Sequence, residues 1–278
     1  MSIDPALEEP RADVAVDAVT ISFGDPRSEI YGVARVGLGG DRPTGLAVLF
    51  RGAETADVHA GDGDPGTGWD AGVVRFETVE PLRAWRGRFV GDRGGFELEL
   101  EALGEPAPLG AGQMDGYEQL CRVRGGARAA GQTVTIDCLG QRGHTWGSPS
   151  WSETALVRSV SAWMDPDLAV LMSATRSGKA AEHDAEHLTA TVLEGSPVTP
   201  IAIEDPRLST TYDGDGRHRR AGFELWTTEE APVARRGAGE VVCGTSVDVG
   251  ELRWDCAFLE WRMEDRVGVG RYDILRRA

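Results

Sequence analysis

The sequence predicts an all-β protein, and two observations support this fold class. Apolar and polar residues alternate with period two in several runs, as in strands with one buried face and one wet face. The clearest runs are FELELE at 96–101, TVTIDC at 133–138 and ELRWDCAF at 251–258. Glycine-rich turns such as 61–66 and 213–216 separate these runs, and many short strands between such turns favour barrels or sandwiches over βαβ units. The two halves of the chain have similar strand content, which suits a duplicated barrel.

Along the chain, the first twelve residues are polar with two prolines and predict a flexible N-terminal arm, residues 1–12. Residues 13–148 and 149–278 are expected to form an N-terminal and a C-terminal β domain. The stretch Gly104–Asp115 is expected to be a connection or a loop that covers a pocket. After Phe258 the apolar positions move by one residue, which indicates a β-bulge.

The net charge of −16 over 278 residues argues against nucleic acid or an anionic membrane surface as a partner, because both are bound through clustered Lys and Arg. The N-terminus has neither a basic region nor an apolar core, so no signal peptide is expected. No run approaches the length of a membrane span. The four cysteines form no CxxC pair and are interpreted as reduced thiols. We therefore expect a cytoplasmic monomer or homodimer.

Two strings imitate ligand-binding motifs without meeting their requirements. Residues 61–66 match GxGxxG, but Pro65 interrupts them and their aspartates would repel a pyrophosphate. Residues 213–224 begin like an EF-hand, but Arg217 and His218 stand at the fifth ligand position and at the required glycine. We expect neither a nucleotide cofactor nor calcium.

The string His183–His187 matches HxxEH, and two histidines four apart on a helix can hold zinc. It falls on the one short helix predicted, Gly178–His187. The alternative is an exposed polar turn before a strand at 188–193. Since the surrounding sequence lacks the long helices that build such sites, the prediction is no metal and no cofactor.

The segment from Gly116 to Trp151 is the richest in chemically useful side chains. A hairpin pairing 118–123 with 134–139 would bring several of them together. Histidine transfers protons near neutral pH, and a glutamate walled by tryptophan can act as an acid. We predict catalytic roles for His144, Glu118 and Asp137, and substrate-binding roles for Tyr117, Gln141, Arg142, Trp146 and Trp151.

Each of these residues also has a structural interpretation. His144, between glycines, can tie a turn together through hydrogen bonds to the backbone. Trp146 can belong to the core, and Arg142 can cap strand carbonyls. The sequence leaves both interpretations open.

The segment Leu139–Gly147 (LGQRGHTWG) resembles the G-x-x-x-D-H-x-W-G signature of the AttH/carotenoid 1,2-hydratase-like superfamily. Residues 74–88 are similar to a strand pair of actinobacterial members, and Asp205-Pro-Arg-Leu-Ser is a third similarity. The resemblance implies two tandem lipocalin-like antiparallel β-barrels packed together, a lipophilic pocket and no cofactor. The hydratases have an acidic residue where Gly143 stands here, so Glu118, Asp137 or His144 would have to supply the proton.

The resemblance implies an enzyme of natural-product biosynthesis acting on an apolar polyketide or terpenoid intermediate by cyclisation, isomerisation or hydration. The first alternative is a non-catalytic carrier of lipophilic small molecules with the same fold. The second is an interaction or structural domain whose signature residues hold two barrels together. Polar groups converging in a closed apolar site favour the enzyme.

Overall fold

The structure is a computed structural model that describes residues 5–64, 67–111, 114–178, 186–228 and 233–277. Over these residues a short 3-10 helix, Pro5–Glu8, precedes nineteen β-strands, and no α-helix occurs among them. The predicted all-β fold is confirmed. The strands are β1 Val16–Asp25, β2 Ile30–Leu38, β3 Thr44–Arg51, β4 Glu54–Asp62, β5 Val74–Glu80, β6 Ala84–Val90, β7 Gly95–Ala102, β8 Ala107–Ala111, β9 Met114–Ala129, β10 Gln132–Gly147, β11 Thr154–Asp165, β12 Leu168–Ser177, β13 Glu186–Glu194, β14 Thr199–Ala202, β15 Asp205–Tyr212, β16 His218–Trp226, β17 Arg235–Val249, β18 Leu252–Met263 and β19 Arg266–Arg277.

The chain forms two compact units. The first comprises Met1–Leu109 and Gln113–Pro149, and the second comprises Gly110–Gly112 and Ser150–Ala278. Each has its own apolar core. We call them the first and second barrel.

The two sheets repeat one topology. The strand order is β4-β3-β2-β1-β10-β9-β7-β6-β5 in the first barrel and β14-β13-β12-β11-β19-β18-β17-β16-β15 in the second, while β8 pairs with β9 beside the first path. In both barrels the last strand of the chain segment pairs with its first strand, β10 with β1 and β19 with β11. The strands of the two barrels therefore follow each other in the same order across the sheet. These two curled antiparallel sheets confirm the prediction of tandem lipocalin-like barrels.

The predicted hairpin organises the first barrel. β9 and β10 pair over sixteen residues each, from Gln132↔Ala129 to Gly147↔Met114. The turn between them places Ala130 and Gly131 at φ of 50° and 76°, the left-handed backbone that a two-residue hairpin turn requires. This register sets Tyr117 opposite His144 and Gln119 opposite Arg142.

One local expectation was wrong, and a second is contradicted at its described end. Within Gly104–Asp115, residues 107–111 form β8 and pair with β9, so this part is sheet rather than a free loop. The predicted helix Gly178–His187 falls largely on 179–185, outside the described residues, but its last two residues start strand β13, where Glu186 and His187 pair with β12. Cross-strand hydrogen bonds therefore prevail there over the local helical pattern.

The irregularity expected after Phe258 is present, but the extra residue lies on the partner strand. The pairing shifts between Val241↔Leu259 and Cys243↔Phe258, which leaves Val242 unpaired in β17. Trp254 and Phe258 are buried on one face of β18, whereas Leu259 lies in the barrel core on the other. The apolar pattern changes because both faces of β18 are buried, and β18 itself stays regular.

Candidate functional site in the first barrel

One end of the first barrel buries polar side chains where the rest of the interior is apolar. Along β1, Val19, Ile21 and Phe23 belong to the core, and Asp17 continues the same face because strand side chains alternate. In the ladders, Asp17 lies opposite Trp146, and Val19 lies opposite His144. The sheet therefore directs the first residues of β1 and β9 and the last residues of β10 into one buried polar end.

His144 and Asp17 form a closed pair. His144 Nε2 is 2.7 Å from Asp17 Oδ1, and neither side chain is exposed to solvent (0%). Asp17 Oδ2 accepts the backbone N–H of Arg11 at 2.7 Å. A carboxylate that accepts on both oxygens requires the hydrogen of His144 on Nε2. In the neutral imidazole this tautomer leaves a lone pair on Nδ1, an atom that is buried and has no hydrogen-bond partner among the described residues.

Aromatic rings enclose the histidine on several sides. The ring centroids of Trp146, Trp69 and Tyr117 lie 5.0, 5.1 and 5.8 Å from that of His144, all edge to face. The Arg11 guanidinium lies over the ring of Trp146, 4.0 Å from its centroid. These contacts fix the imidazole and present flat apolar surface beside it.

Arg142 is the buried cation of the site. Its side chain is 1% exposed, and Nη1 lies 3.1 Å from Glu8 Oε1. The same nitrogen donates to the Tyr117 hydroxyl at 2.5 Å. The guanidinium also lies over the ring of Trp85, 4.8 Å from its centroid. A buried charge needs both an opposite charge and hydrogen-bond partners, and Glu8 and Tyr117 supply them.

The Glu8 carboxylate receives donors from several elements. Tyr117 OH donates to Oε1 at 3.1 Å, the backbone N–H of Leu82 donates to Oε1 at 3.0 Å, and Trp85 Nε1 lies 3.2 and 3.1 Å from the two oxygens. Trp69 Nε1 donates to the Glu8 backbone carbonyl at 3.3 Å. We call Glu8, Arg142, Tyr117 and Trp85 the Glu8 cluster.

Burial determines the protonation of two neighbouring groups. It raises the pKa of the Tyr117 hydroxyl above its ordinary value, and the charge of Arg142 opposes this rise without cancelling it. Tyr117 therefore stays a hydrogen-bond donor at neutral pH. Burial likewise raises the pKa of Cys121 to about 12. Since the thiolate is the nucleophile, Cys121 is not a nucleophile in the resting site.

The structure brings together four of the predicted site residues. His144 and Arg142 on β10 and Tyr117 on β9 lie in the buried polar end, with Trp146 half-buried beside them. Cross-strand register and alternation account for this grouping, because residues paired in a ladder share a face.

The other four predicted residues lie elsewhere. Glu118 and Gln141 are buried, but they lie on the opposite face of the sheet, and a Cβ added to Gly143 would be 3.4 Å from Glu118 Cγ. Asp137 is 49% exposed and forms an ion pair with Arg122 at 2.9 Å. Trp151 belongs to the second barrel.

The main residues that sequence reasoning missed are Asp17, Glu8, Trp69 and Trp85. Asp17 had a usable signal, since it is an acid in a strand whose other residues are mostly buried. Glu8 had none, because it lies in a stretch whose composition predicts a loose arm. The arm expectation was wrong for Pro5–Glu8, which form a 3-10 helix with Glu8 only 4% exposed.

No cluster of three or more His, Cys, Asp or Glu that could hold a metal occurs among the described residues. Residues 183–185 of the HxxEH string lie outside that part of the chain. No helix in the described ranges is long and apolar enough to span a membrane.

The family model described as "Domain of unknown function (DUF7064)" matches residues 6–278. The chain belongs to this family. No curated protein matches the DUF7064 chain.

Solved structures with the same fold include three relevant proteins. A candidate AttH from Nitrosomonas europaea superposes with a TM-score of 0.73 at 10% identity, covering 100% of this chain and 98% of the other. Kievitone hydratase from Nectria haematococca gives 0.70 at 11%, covering 99% and 93%. CghA with Sch210972 gives 0.68 at 11%, covering 95% and 89%. The resemblance to AttH-like proteins inferred from the sequence is confirmed at the level of the fold.

Proposed function

We propose that this protein is a cofactor-independent enzyme that moves protons on an apolar, carbonyl-bearing intermediate of natural-product biosynthesis, with His144 as the general base. The observation that supports this most directly is the state of His144. Nε2 is committed to Asp17, while Nδ1 is buried among aromatic rings with no partner in the described part of the chain. An oriented imidazole with one free lone pair is the arrangement that general-base catalysis needs.

The chemistry follows from that arrangement. Nδ1 of His144 takes a proton from a carbon next to a carbonyl, the C–H electron pair forms an enolate, and Asp17 stabilises the resulting imidazolium. The Nε–H of Arg142, which is buried and has no partner among the described residues, is a hydrogen-bond donor on the same face that can stabilise the enolate oxygen. Return of the proton to another carbon gives isomerisation. Attack of the enolate carbon on a second carbonyl or alkene carbon gives cyclisation, in which the electron pair of that double bond moves to its far atom and the His144 imidazolium returns the proton there.

Asp17 can replace the acidic residue that the family signature has next to the histidine and that this chain lacks. Gly143 stands where hydratases have an acidic residue, and the buried carboxylate next to His144 comes instead from Asp17 on β1. Among the proteins of this fold, one is named a hydratase, and CghA was solved with the small molecule Sch210972. These two names support the proposal that this protein, too, acts on a small molecule.

The test detects conversion in a mixture, so the substrate need not be identified first. The purified protein is incubated in D2O with a lipophilic extract of the producing cells, and mass spectrometry records compounds that change in mass, retention or deuterium content. His144→Gln keeps a hydrogen-bonding side chain but cannot act as a base near neutral pH. We expect it to lose roughly 10²- to 10⁴-fold in conversion rate while staying folded. Asp17→Asn should also lower the rate because it disturbs the tautomer.

His187→Gln is the matched control, because His187 is exposed on β13 in the second barrel and should leave conversion unchanged. Equal rates for wild type and folded His144→Gln would contradict the proposal. Compounds that bind the wild type and are recovered chemically unchanged would favour the alternative of a lipophile carrier.

A further inference from the structure

The Glu8 carboxylate occupies a binding site made by other parts of the first barrel. Its partners are the Arg142 guanidinium, the Tyr117 hydroxyl, the Trp85 indole N–H and the Leu82 backbone N–H, all between 3.0 and 3.2 Å. Three of these groups belong to the sheet, and Leu82 lies in the β5–β6 turn. Together they supply one positive charge and four donors to one carboxylate, as in a dedicated carboxylate site.

The carboxylate itself comes from a segment outside the sheet. Residues 5–15 enter none of the described ladders, and residues 9–15 have neither helix nor strand. Besides those of the Glu8 side chain, the contacts of the segment with the barrel include the Trp69 bond to the Glu8 carbonyl, the Arg11 N–H bond to Asp17, and Arg11 over Trp146. Because none of these contacts belongs to a strand ladder, the segment can leave without disturbing strand pairing.

The donors around the Glu8 carboxylate would still need an anion if Glu8 left. Arg142 is 1% exposed, and its Nε is buried with no partner in the described ranges. Leaving such a cation uncompensated strongly destabilises the fold. A ligand carboxylate can restore the lost interactions, whereas a neutral group lacks the charge.

We propose that the donors around Glu8 form the binding site for a carboxylate of the substrate, and that Glu8 occupies this site until the substrate displaces it. The substrate class is thus an apolar carboxylic acid. This inference rests on the proposed function in that it uses the same buried end: Tyr117 contacts both the carboxylate site and the ring of His144. Displacing Glu8 also moves the segment that covers Trp146.

The first experiment removes the internal carboxylate and supplies it again in solution. In the full-length protein, Glu8→Ala should lower the melting temperature, and sodium propanoate, which matches the lost side chain, should restore most of the difference. Propanamide, the neutral isostere, should not. Glu9→Ala, an exposed neighbour with the same change of charge, should show no response to propanoate. The double variant Glu8→Ala/Arg142→Met should also not respond.

The second experiment measures competition between Glu8 and a substrate-like acid. Dodecanoate binding is followed by tryptophan fluorescence, since Trp85 contacts the carboxylate, with methyl dodecanoate as the uncharged control. An internal competitor lowers apparent affinity by the fraction of protein in the open state. Glu8→Ala should therefore bind dodecanoate about tenfold or more tightly than the wild type. If Glu8→Ala does not fold, Glu8→Gln keeps the shape, weakens the charge pairing and should shift affinity in the same direction.

Equal dodecanoate affinity in wild type and variant, or equal rescue by propanoate and propanamide, would overturn the inference. The measurement is an equilibrium one and needs no turnover. If His144→Gln binds dodecanoate like the wild type while conversion is absent in both, the proposed function fails and the carboxylate site stands.

Discussion

The second barrel contains a buried cluster that shares three residue types, Arg, Glu and Tyr, with the Glu8 cluster. Arg158 Nη2 forms an ion pair with Glu186, and its Nη1 donates to the Tyr272 hydroxyl at 3.2 Å and to Thr210 Oγ1 at 3.0 Å. Thr210 and Tyr272 are also 2.6 Å apart through their oxygens. We call Arg158, Glu186, Tyr272 and Thr210 the Glu186 cluster. Both clusters lie at the end of the barrel where its first strand begins.

The two clusters differ in where the glutamate comes from. Glu186 is the first residue of β13 and pairs with Arg176 of β12, so the ladder helps to hold it. Glu8 lies on a short segment outside every described ladder. The same kind of ion pair therefore has a carboxylate within the sheet in one barrel and a carboxylate outside the described ladders in the other. The difference teaches that a buried Arg–Glu–Tyr cluster occurs in both barrels, and that the two clusters are distinguished by whether the carboxylate belongs to a strand ladder.

The largest effect is expected from Arg158→Met. The substitution leaves Glu186 buried and unpaired in a strand that cannot turn to water without breaking the ladder, so we expect a loss of about 3–5 kcal/mol in the free energy of unfolding. Chemical denaturation measures it. A loss no greater than that of the corresponding change in the first barrel would contradict the distinction drawn between the clusters.

The next effect is the pH dependence that the buried His218 gives to the stability of the second barrel. Burial lowers the pKa of His218 from 6.5 to about 4, and its bond to the Tyr272 carbonyl and the charge of Asp255 oppose this only in part. Between these pH values the unfolded chain binds more protons, so the stability that neutral His218 provides is lost as pH falls from about 6.5 toward 4.

The loss should approach about 3 kcal/mol at the acid end. His218→Gln keeps a hydrogen-bond donor for the Tyr272 carbonyl and removes the group that titrates between about pH 4 and pH 6.5. The difference in unfolding free energy between wild type and His218→Gln should therefore shrink or reverse as the pH is lowered. Parallel pH profiles for the two proteins would show that His218 does not titrate in this range.

A smaller effect is expected from Arg142→Met in the first barrel. The Glu8 carboxylate that loses its partner can swing into water with its segment, so the loss should be about 1–2 kcal/mol, the value of the broken hydrogen bonds. The measurement is the same denaturation series used for Arg158→Met. A loss as large as that of Arg158→Met would mean that Glu8 is held as firmly as Glu186.

The smallest effect is expected on the solvent-exposed face of the first barrel. Arg122 pairs with Asp137 on an exposed face, where solvent screens the charges. Arg122→Met should leave both unfolding and conversion unchanged, and it serves as the surface control for the two buried arginines. A clear loss of conversion would restore Asp137 as a candidate catalytic residue.

The sequence by itself determined the elements whose evidence is local. Period-two runs such as 96–101 specified strands with one buried face, and glycine turns separated them. The hairpin placed Tyr117, Arg142 and His144 in adjacent strands because register in a tight hairpin follows from its turn. The same alternation shows why Glu118 could not join His144: one step along a strand reverses the face.

Only the tertiary structure decided which groups complete the site. Asp17 meets His144 across 127 positions of sequence, and Glu8 meets Tyr117 across 109. Such contacts arise when the last strand of the barrel closes against the first and a segment outside the sheet covers the end, and no local periodicity encodes either event. From the sequence alone, Glu8 is expected to be a charged residue exposed to solvent in a polar arm. It becomes the partner of a buried arginine because the barrel leaves Arg142 out of water, where an anion must compensate its charge.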